Sequence, residues 1–216
     1  MVAPRVFIDT NVLKFSATEL PRYAPRQTSV QWGDQVVELT VHDLIEVNPN
    51  EFIENPELKA EAELLLPLAE FGKLGQVHYV IDFETLAESW GLRNMDSERG
   101  NFYGTPIEKV KAPILYGRVV AGGNLDPQEH QYRFLQSIEH PRFRELQKVT
   151  GAYQGRNAPN RNQLLDAYHV WSAEHSNCDF FLTLDFKLIR MLGRTQTRLP
   201  VRAVRPSELL AYLNQS

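Results

Sequence analysis

The sequence lacks several features that would place the protein in a specialised class. It has one cysteine, Cys178, among 216 residues, so no internal disulfide can form and a reducing compartment is expected. It contains no apolar run of about 18 residues, the length that a membrane-spanning helix requires. The apolar run near the N-terminus is too short for a secretory signal. We therefore expect a cytoplasmic protein without a membrane partner, in which Cys178 is a buried structural thiol.

The remaining composition is that of an ordinary folded domain. Hydrophobic residues make up 43% of the chain and charged residues 23%. A chain of this length can bury a core large enough to fold without covalent staples. One domain with elaborations is therefore expected.

Charge is unevenly distributed along the chain, although the net charge is only −4. Residues 34–88 contain thirteen acids and two bases. Residues 186–205 contain no acid and six bases, namely Lys187, Arg190, Arg194, Arg198, Arg202 and Arg205. This asymmetry is compatible with a basic face that attracts phosphates, and equally with two solvated surfaces of opposite sign.

Short apolar segments alternate with helical patterns. The predicted strands are 6–8, 36–41, 77–81, 180–184 and 201–204, and 28–32 is expected to pair with 36–41 as a hairpin. The predicted helices span residues 55–70, 126–138, 141–150, 162–176 and 185–192, and the first of them is expected to bend at Pro67. Asp82 is expected to cap a further helix, and a terminal helix begins at residue 206. Strands alternating with helices predict a mostly parallel sheet with helices on both faces.

Acidic residues stand where predicted strands end. Ligands bind open α/β sheets beyond the carboxyl ends of the strands, so this edge is where chemistry is expected. Asp9 ends the first strand, and Asp185 directly follows strand 180–184. Glu88 lies about two turns into the helix after strand 77–81.

Asp166 is the most informative acid because its neighbours Leu164, Leu165 and Ala167 are apolar. An unpaired buried charge is costly, so this carboxylate needs a partner. A metal ion is one such partner, since Mg²⁺ and Mn²⁺ prefer oxygen ligands from carboxylates, water and phosphate. The acids at the strand ends, together with Asp166, form a candidate metal site.

Four segments carry a resemblance to a known family. They are residues 8–13 (Ile-Asp-Thr-Asn-Val-Leu), 85–88 (Thr-Leu-Ala-Glu), 165–167 (Leu-Asp-Ala) and 182–185 (Leu-Thr-Leu-Asp). In this order they resemble the PIN-domain nucleases, which include the toxin ribonucleases of bacterial and archaeal toxin–antitoxin pairs. The resemblance implies a doubly wound, three-layer α/β fold and Mg²⁺- or Mn²⁺-dependent endoribonuclease activity on RNA.

The resemblance also implies roles for individual residues. The catalytic, metal-binding acids would be Asp9, Glu88, Asp166 and Asp185. Under this hypothesis Asp9 and Asp166 ligate the main ion with Glu88, and Asp185 completes the site directly or through water. The ion would activate a water molecule and stabilise charge on the phosphate.

Other polar residues would support these acids. Asn11 and Thr183 match the supporting polar positions of the family and would orient the carboxylates. Lys187 and Arg190, one turn apart after Asp185, are candidates for contacts with substrate phosphates.

The resemblance covers roughly residues 5–14, 77–92 and 162–205. We therefore expect a single PIN-like domain over 1–216, with a hairpin and helical elaboration inserted at about 15–55 and 93–161. The family further implies a homodimer and, for a toxin, an antitoxin-like protein partner. The extra length leaves the toxin role open.

Each assignment has a structural alternative. Asp9 and Asp185 are also suited to capping the helices that follow them. Glu88 could be a surface residue and Asp166 a lone structural acid, and Glu84 is a rival ligand one turn before Glu88. The alternative function is a non-catalytic RNA-binding or scaffold protein on the same fold.

Two other active-site classes are disfavoured. A phosphohydrolase of the haloacid dehalogenase type needs a second aspartate at position 11, where the chain has Asn11. His169, Glu174 and His175 lie on the helix that carries Asp166, but their spacing fits neither zinc protease motif. We interpret them as surface or packing residues.

Overall fold

The structure, a computed structural model, describes residues 2–89, 99–114, 127–153 and 160–215. Its strands are β1 (Arg5–Ile8), β2 (Leu20–Trp32), β3 (Gln35–Val47), β4 (His78–Ile81), β5 (Ile107–Lys109), β6 (Phe180–Leu182) and β7 (Arg202–Val204). Its helices are α1 (Thr10–Phe15), α2 (Pro56–Glu63), α3 (Leu65–Lys73), α4 (Phe83–Ser89), α5 (Pro127–Ser137), α6 (Pro141–Val149), α7 (Arg161–His175), α8 (Phe186–Arg194) and α9 (Pro206–Leu213). A short 3-10 helix, Pro49–Phe52, follows β3.

Five strands form one sheet in the order β5-β4-β1-β6-β7, and every neighbouring pair is parallel. The chain builds outward from β1 to β5 on one side, then returns to the other side of β1 for β6 and β7. This reversal of strand order occurs beside β1, where open α/β sheets bind ligands. The predicted parallel sheet is confirmed.

The sheet is covered on both faces. Phe7, Val80 and Phe181 lie in one hydrophobic core with residues of α5, α6, α7 and α8. Their neighbours along the same strands, such as Ile8 and Leu182, lie in a second core with residues of α1, α3 and α9. Successive side chains of a strand point to opposite faces, so both layers are filled from the same short strands. The result is a three-layer α/β fold.

The predicted helix 55–70 is two helices. Asn55 caps α2, because its side chain accepts hydrogen bonds from the amides of Glu57 and Leu58. The break falls at Leu64, between α2 and α3, whereas the expected bend at Pro67 was wrong. Pro67 lies in the first turn of α3, where its missing N–H would have no partner within the helix in any case.

Residues 20–47 form a separate antiparallel sheet of two strands, which we call the ribbon. Gly33 and Asp34 connect the strands, and Gly33 has a φ of +62°, which favours glycine. The ribbon is much longer than the predicted hairpin of 28–32 with 36–41. Pro21 and Pro25 make the start of β2 look like a loop in the sequence, yet proline is tolerated in a strand that has a neighbour on one side only.

The remaining long segment contributes to both the sheet and its helices. Within the predicted insertion 93–161, β5 is the edge strand beside β4, and α5 and α6 pack on the core. Residues 93–98, 115–126 and 154–159 of this insertion lie outside the described residues. Within the described ranges, no helix is long and apolar enough to cross a membrane.

Candidate active site

The candidate site lies at the carboxyl edge of the parallel sheet, where β1 and β6 are neighbours. The amide of Asp9 donates to the carbonyl of Leu182 at 3.1 Å, so Asp9 continues the pairing of the two strands. Its side chain is buried. Although Asp9 precedes α1, its carboxylate makes no capping hydrogen bond to that helix. Helix capping therefore does not explain why a buried aspartate stands at position 9.

A chain of hydrogen bonds fixes the Asp9 carboxylate. The hydroxyl of Thr183 donates to Oδ2 of Asp9 at 2.6 Å, and the side-chain amide of Asn11 donates to the Thr183 oxygen at 2.9 Å. The carbonyl oxygen of Asn11 accepts from the amide of Leu184 at 3.0 Å. Asn11 and Thr183, both predicted as supporting residues, thus join the ends of β1 and β6 around Asp9.

The charge of Asp9 is only partly compensated. Burial raises the pKa of Asp9, and the positive charge of His169 and the Thr183 hydrogen bond oppose that rise. The negative charge of Glu88 raises the pKa of Asp9 further. The net direction is upward, which means that the site favours a proton or another cation beside this carboxylate.

Glu88 lies near Asp9, whereas Glu84 faces elsewhere. The hydroxyl of Thr10 donates to Oε2 of Glu88 at 2.6 Å, and Nε2 of His169 lies 3.7 Å from the same oxygen. Burial alone would raise the pKa of Glu88, but His169 and Thr10 hold it below its ordinary value. Glu84 is buried and accepts from the side-chain amide of Gln131 at 2.5 Å.

His169 is a residue of this site that the sequence did not reveal. It is 1% exposed, so of the two predicted settings, surface or packing, the structure shows the packed one. Its Nδ1 lies 3.4 Å from Oδ2 of Asp82 and 3.3 Å from the hydroxyl of Thr85. Burial lowers the pKa of His169, but Asp82 and Glu88 raise it well above its ordinary value. A protonated imidazole therefore lies between two carboxylates.

Two signals in the sequence could have identified this pair. Asp82 directly follows β4, as Asp9 follows β1, and the strand-end rule applies to both. Asp82 also accepts from the amide of Thr85 at 2.8 Å, which confirms its predicted role as a helix cap. His169 follows Asp166 by three residues on α7, so the two side chains share one face of that helix.

Asp166 lies close enough to the other three acids for their charges to raise its pKa. Its pKa is raised to about 7, first by burial and then by the charges of Asp9, Asp185 and Glu88, while His169 opposes the rise. The four predicted acids come from four distant segments of the chain. The structure brings them into one electrostatic group.

Asp185 has a structural role as well. Its Oδ1 accepts from the amides of Lys187 at 2.8 Å and Leu188 at 2.9 Å. The capping alternative for Asp185 is therefore confirmed. The same residue still raises the pKa of Asp166, so capping α8 does not remove it from the acid group.

The donor chemistry of these residues fits a divalent cation, but their arrangement is not a ligand shell. Four carboxylates supply hard oxygen atoms, and the raised pKa values of Asp9 and Asp166 mark negative charge without a full counter-charge. Within residues 2–89, 99–114, 127–153 and 160–215, no three His, Cys, Asp or Glu side chains are placed to hold a metal ion. Glu88 is turned toward Thr10 and His169, so binding would require its side chain to move.

The chain matches no protein-family model and no curated protein. The resemblance to the PIN-domain nucleases therefore depends on the four short motifs and on the positions of their residues in the fold.

The basic residues after Asp185 are split between two environments. Lys187 and Arg190 are exposed and, with Met191 and Arg194, line a shallow groove of about 270 Å³ on α8. Arg205 is instead paired with Glu57 at 2.7 Å. Lys187 and Arg190, the predicted phosphate contacts, thus lie on the helix that Asp185 caps. Arg205 instead forms an ion pair with Glu57.

Proposed function

We propose that the protein is a divalent-metal-dependent endoribonuclease with a PIN-like fold. The observation that carries the proposal is the convergence of four acids from distant segments at the carboxyl edge of the sheet, where burial and three carboxylates raise the pKa of Asp166 to about 7. Mutual repulsion of this kind destabilises a fold, whereas a divalent cation would relieve it. The position at the switch point of a parallel sheet is further support, since ligands bind there.

Asp9 and Asp166 would hold the ion together with Glu88, and Asp185 would complete the site directly or through water. When bound, Mg²⁺ or Mn²⁺ would activate a water molecule and offset negative charge on the scissile phosphate. The residues suit this role in charge and donor type. Glu88, whose Oε2 lies 3.7 Å from His169, would have to turn away from that histidine to reach the ion.

The surrounding residues would prepare the acids for that role. Thr183 engages one oxygen of Asp9, which fixes the orientation of the carboxylate. His169 keeps Glu88 ionised, as its lowered pKa indicates. Lys187 and Arg190 would contact phosphates of the bound RNA beside the acids.

One observation favours the alternative function, an RNA-binding or scaffold protein without catalysis. The described residues contain no ready-made metal shell. A protein that had lost its catalytic role would retain the fold and the basic groove but would bind no metal through the acids. Metal binding therefore separates the two proposals.

The test is cleavage of single-stranded RNA in Mg²⁺ or Mn²⁺ by wild type, Asp9→Asn and Asp166→Asn. We expect each substitution to reduce the rate by more than the roughly 10–100-fold typical of losing an outer-shell partner. Glu84→Gln is the matched control, because Glu84 is a buried acid of the same region that faces Gln131 and should leave the rate unchanged.

Cleavage that persists in EDTA, or in both aspartate variants, would contradict the nuclease proposal. Calorimetric titration with Mn²⁺ decides between the two functions. Binding that disappears in Asp166→Asn supports the nuclease, and a wild type without binding supports the scaffold.

A further inference from the structure

The two faces of the ribbon differ in how their exposed apolar side chains are arranged. Residues paired across an antiparallel sheet lie on the same face. One face carries the pairs Val30 with Val37, Thr28 with Leu39, and Arg22 with Ile45, together with Trp32 near the tip. The opposite face carries Ser29 with Glu38 and Gln27 with Thr40, and these polar pairs separate its exposed apolar residues, Val36 at one end and Tyr23 with Leu44 at the other. We call the first the apolar face; its exposed large apolar members are Val30, Trp32, Val37, Leu39 and Ile45.

The apolar face lies outside the two hydrophobic cores. Neither core includes a residue of the ribbon. Trp32 is 79% exposed, and the other four apolar side chains are exposed as well. A two-stranded hairpin is at best marginally stable by itself in water, and a long exposed apolar strand promotes association.

We propose that the apolar face of the ribbon docks against the same face of a second copy of this chain. The two ribbons would pack face to face at the spacing of about 10 Å found in sandwiched sheets. Pairs such as Val30 with Val37 would interdigitate with their counterparts. This inference does not depend on the proposed nuclease activity, because no ribbon residue belongs to the acid group.

The exposed area of the apolar face reaches the lower bound for an interface between two copies. From their exposed fractions, the five apolar residues present roughly 500 Å² of surface, a patch size that often marks an interaction site. Two copies would bury about 1,000 Å² of it, the lower bound for a specific interface. Threonine and the aliphatic stems of the neighbouring arginines would add to this area.

Most of the charge on this face is balanced within one chain, because Arg26 is paired with Asp43 at 2.5 Å. Arg22 keeps its charge, and its guanidinium lies 4.7 Å from the ring centre of Phe52 at the end of the ribbon away from the tip. A symmetric contact places the same residues against one another, so it is disrupted by free charge of one sign and tolerates the neutral stretch nearer the tip.

RNA is a poorer occupant of the same face. Residues 20–47 contain two bases and four acids, and both bases are engaged as described. The exposed side chains are mainly aliphatic, whereas RNA binding uses free cations and aromatic stacking platforms. The chemistry of the ribbon therefore favours protein over nucleic acid.

Two adjacent valines give a matched test by sedimentation equilibrium of the full chain. Val37 lies on the apolar face and Val36 on the opposite face, although Val36 is the more exposed, at 70% against 39%. We expect a wild-type dimer whose Kd rises at least about 10-fold in Val37→Lys and changes less than about 2-fold in Val36→Lys. The melting temperature of each variant, measured at low concentration, checks that it folds.

A second matched pair of variants keeps the test valid if a variant of the first pair fails to fold. Ile45→Lys on the apolar face should weaken the dimer, and Leu44→Lys on the opposite face should not, although Leu44 is the more exposed, at 60% against 42%. A wild type that stays monomeric at about 100 μM, or equal effects within each pair, would overturn the proposal. So would a monomer in which Val37→Lys weakens RNA binding, since RNA would then be the occupant.

The dimer can be tested separately from catalysis. Asp166→Asn should sediment as wild type does whether or not it cleaves RNA. A dimer without cleavage would contradict the proposed function alone, and cleavage by a strict monomer would contradict the ribbon contact alone.

Discussion

The acid group and the ribbon depart from the usual distribution of residues in opposite directions. In the acid group Asp9 is buried, and so are Asp82 and His169 beside it. In the ribbon, a tryptophan and several aliphatic side chains are exposed to solvent. Charged groups ordinarily stay in water and large apolar patches away from it. Under the two proposals a partner completes each region, a cation in the acid group and a protein surface on the ribbon.

The two regions should also respond differently to mutation. Around the acid group the sign of the effect depends on the charge removed: losing the buried counter-charge His169 should destabilise the fold, whereas losing Asp166, which the other acids repel, should stabilise it. Exposing apolar groups makes ribbon residues individually dispensable to the folded chain. The following predictions test this contrast, in order of expected effect.

The largest effect is expected for His169→Leu. It would leave Asp82 and Glu88 without the imidazolium between them, and removal of one partner from a buried ion pair typically costs about 3–5 kcal/mol. The free energy of unfolding, measured in urea at pH 7, should fall by that amount. His175→Leu, an exposed histidine of the same helix, should leave it nearly unchanged. Equal effects of the two substitutions would contradict the structural account.

Asp166→Asn should stabilise the metal-free chain. Because the folded-state pKa of Asp166 is about 7, its carboxyl destabilises the fold once the pH exceeds the ordinary value of 3.8, and the penalty grows until the pH passes 7. After allowance for its partial exposure, the gain at pH 8.5 should be about 2 kcal/mol, a rise in Tm of roughly 4–8 °C.

The sign of this effect is checked with pH and with metal. At pH 5.5 the wild-type carboxyl takes up a proton, so the difference in Tm should shrink. Under the nuclease proposal, Mn²⁺ at pH 8.5 should raise the Tm of wild type more than that of Asp166→Asn. A lower Tm for the variant at pH 8.5 without metal would refute the reasoning.

Asp185 allows its capping and site roles to be separated. Asp185→Ala removes the cap of α8 and should lower the free energy of unfolding by about 1 kcal/mol, whereas Asp185→Asn keeps a capping oxygen and should not. Both should reduce RNA cleavage alike, because both remove the carboxylate. If cleavage falls only in Asp185→Ala, the less stable variant, and not in Asp185→Asn, then Asp185 acts only as a helix cap.

The smallest effect is expected in the ribbon. Leu39→Ala, at concentrations where the chain is monomeric, should change the free energy of unfolding by less than about 0.5 kcal/mol. Leu13→Ala, in the buried core, should cost about 2–5 kcal/mol. A large loss from Leu39→Ala would mean that the ribbon is packed within the monomer.

The features predicted correctly from the sequence depend on local pattern. Asp9 and Asp185 follow short apolar strands, and the edge at which parallel strands end is fixed once the strands are recognised. Asn11 and Thr183 were named through the resemblance to the PIN-domain nucleases, and their hydrogen bonds place them beside Asp9. The parallel sheet followed in the same way from alternating strands and helices.

What the sequence did not reveal depends on tertiary contacts. The burial of His169 is set by the packing of α7 on the sheet and on α5 and α6, which no local pattern specifies. The full length of the ribbon was hidden by Pro21 and Pro25, which disfavour a central strand and not an edge strand. The break between α2 and α3 fell at Leu64, although proline was the stronger local signal for a bend.

The hydrogen bonds of Asn11 determine when the candidate site can form while the chain is being synthesised. Its hydrogen bonds to Thr183 and Leu184, the two residues that follow β6, span 172 and 173 positions of the chain. Parallel pairing between such distant segments forms late and slowly. While the ribosome is still producing the middle of the protein, Asp9 has no Thr183 to orient it and no Asp166 beside it. A nascent chain with the proposed activity would therefore stay inert toward the messenger RNA that encodes it until the segment from Asp166 to Asp185 has been synthesised and has folded.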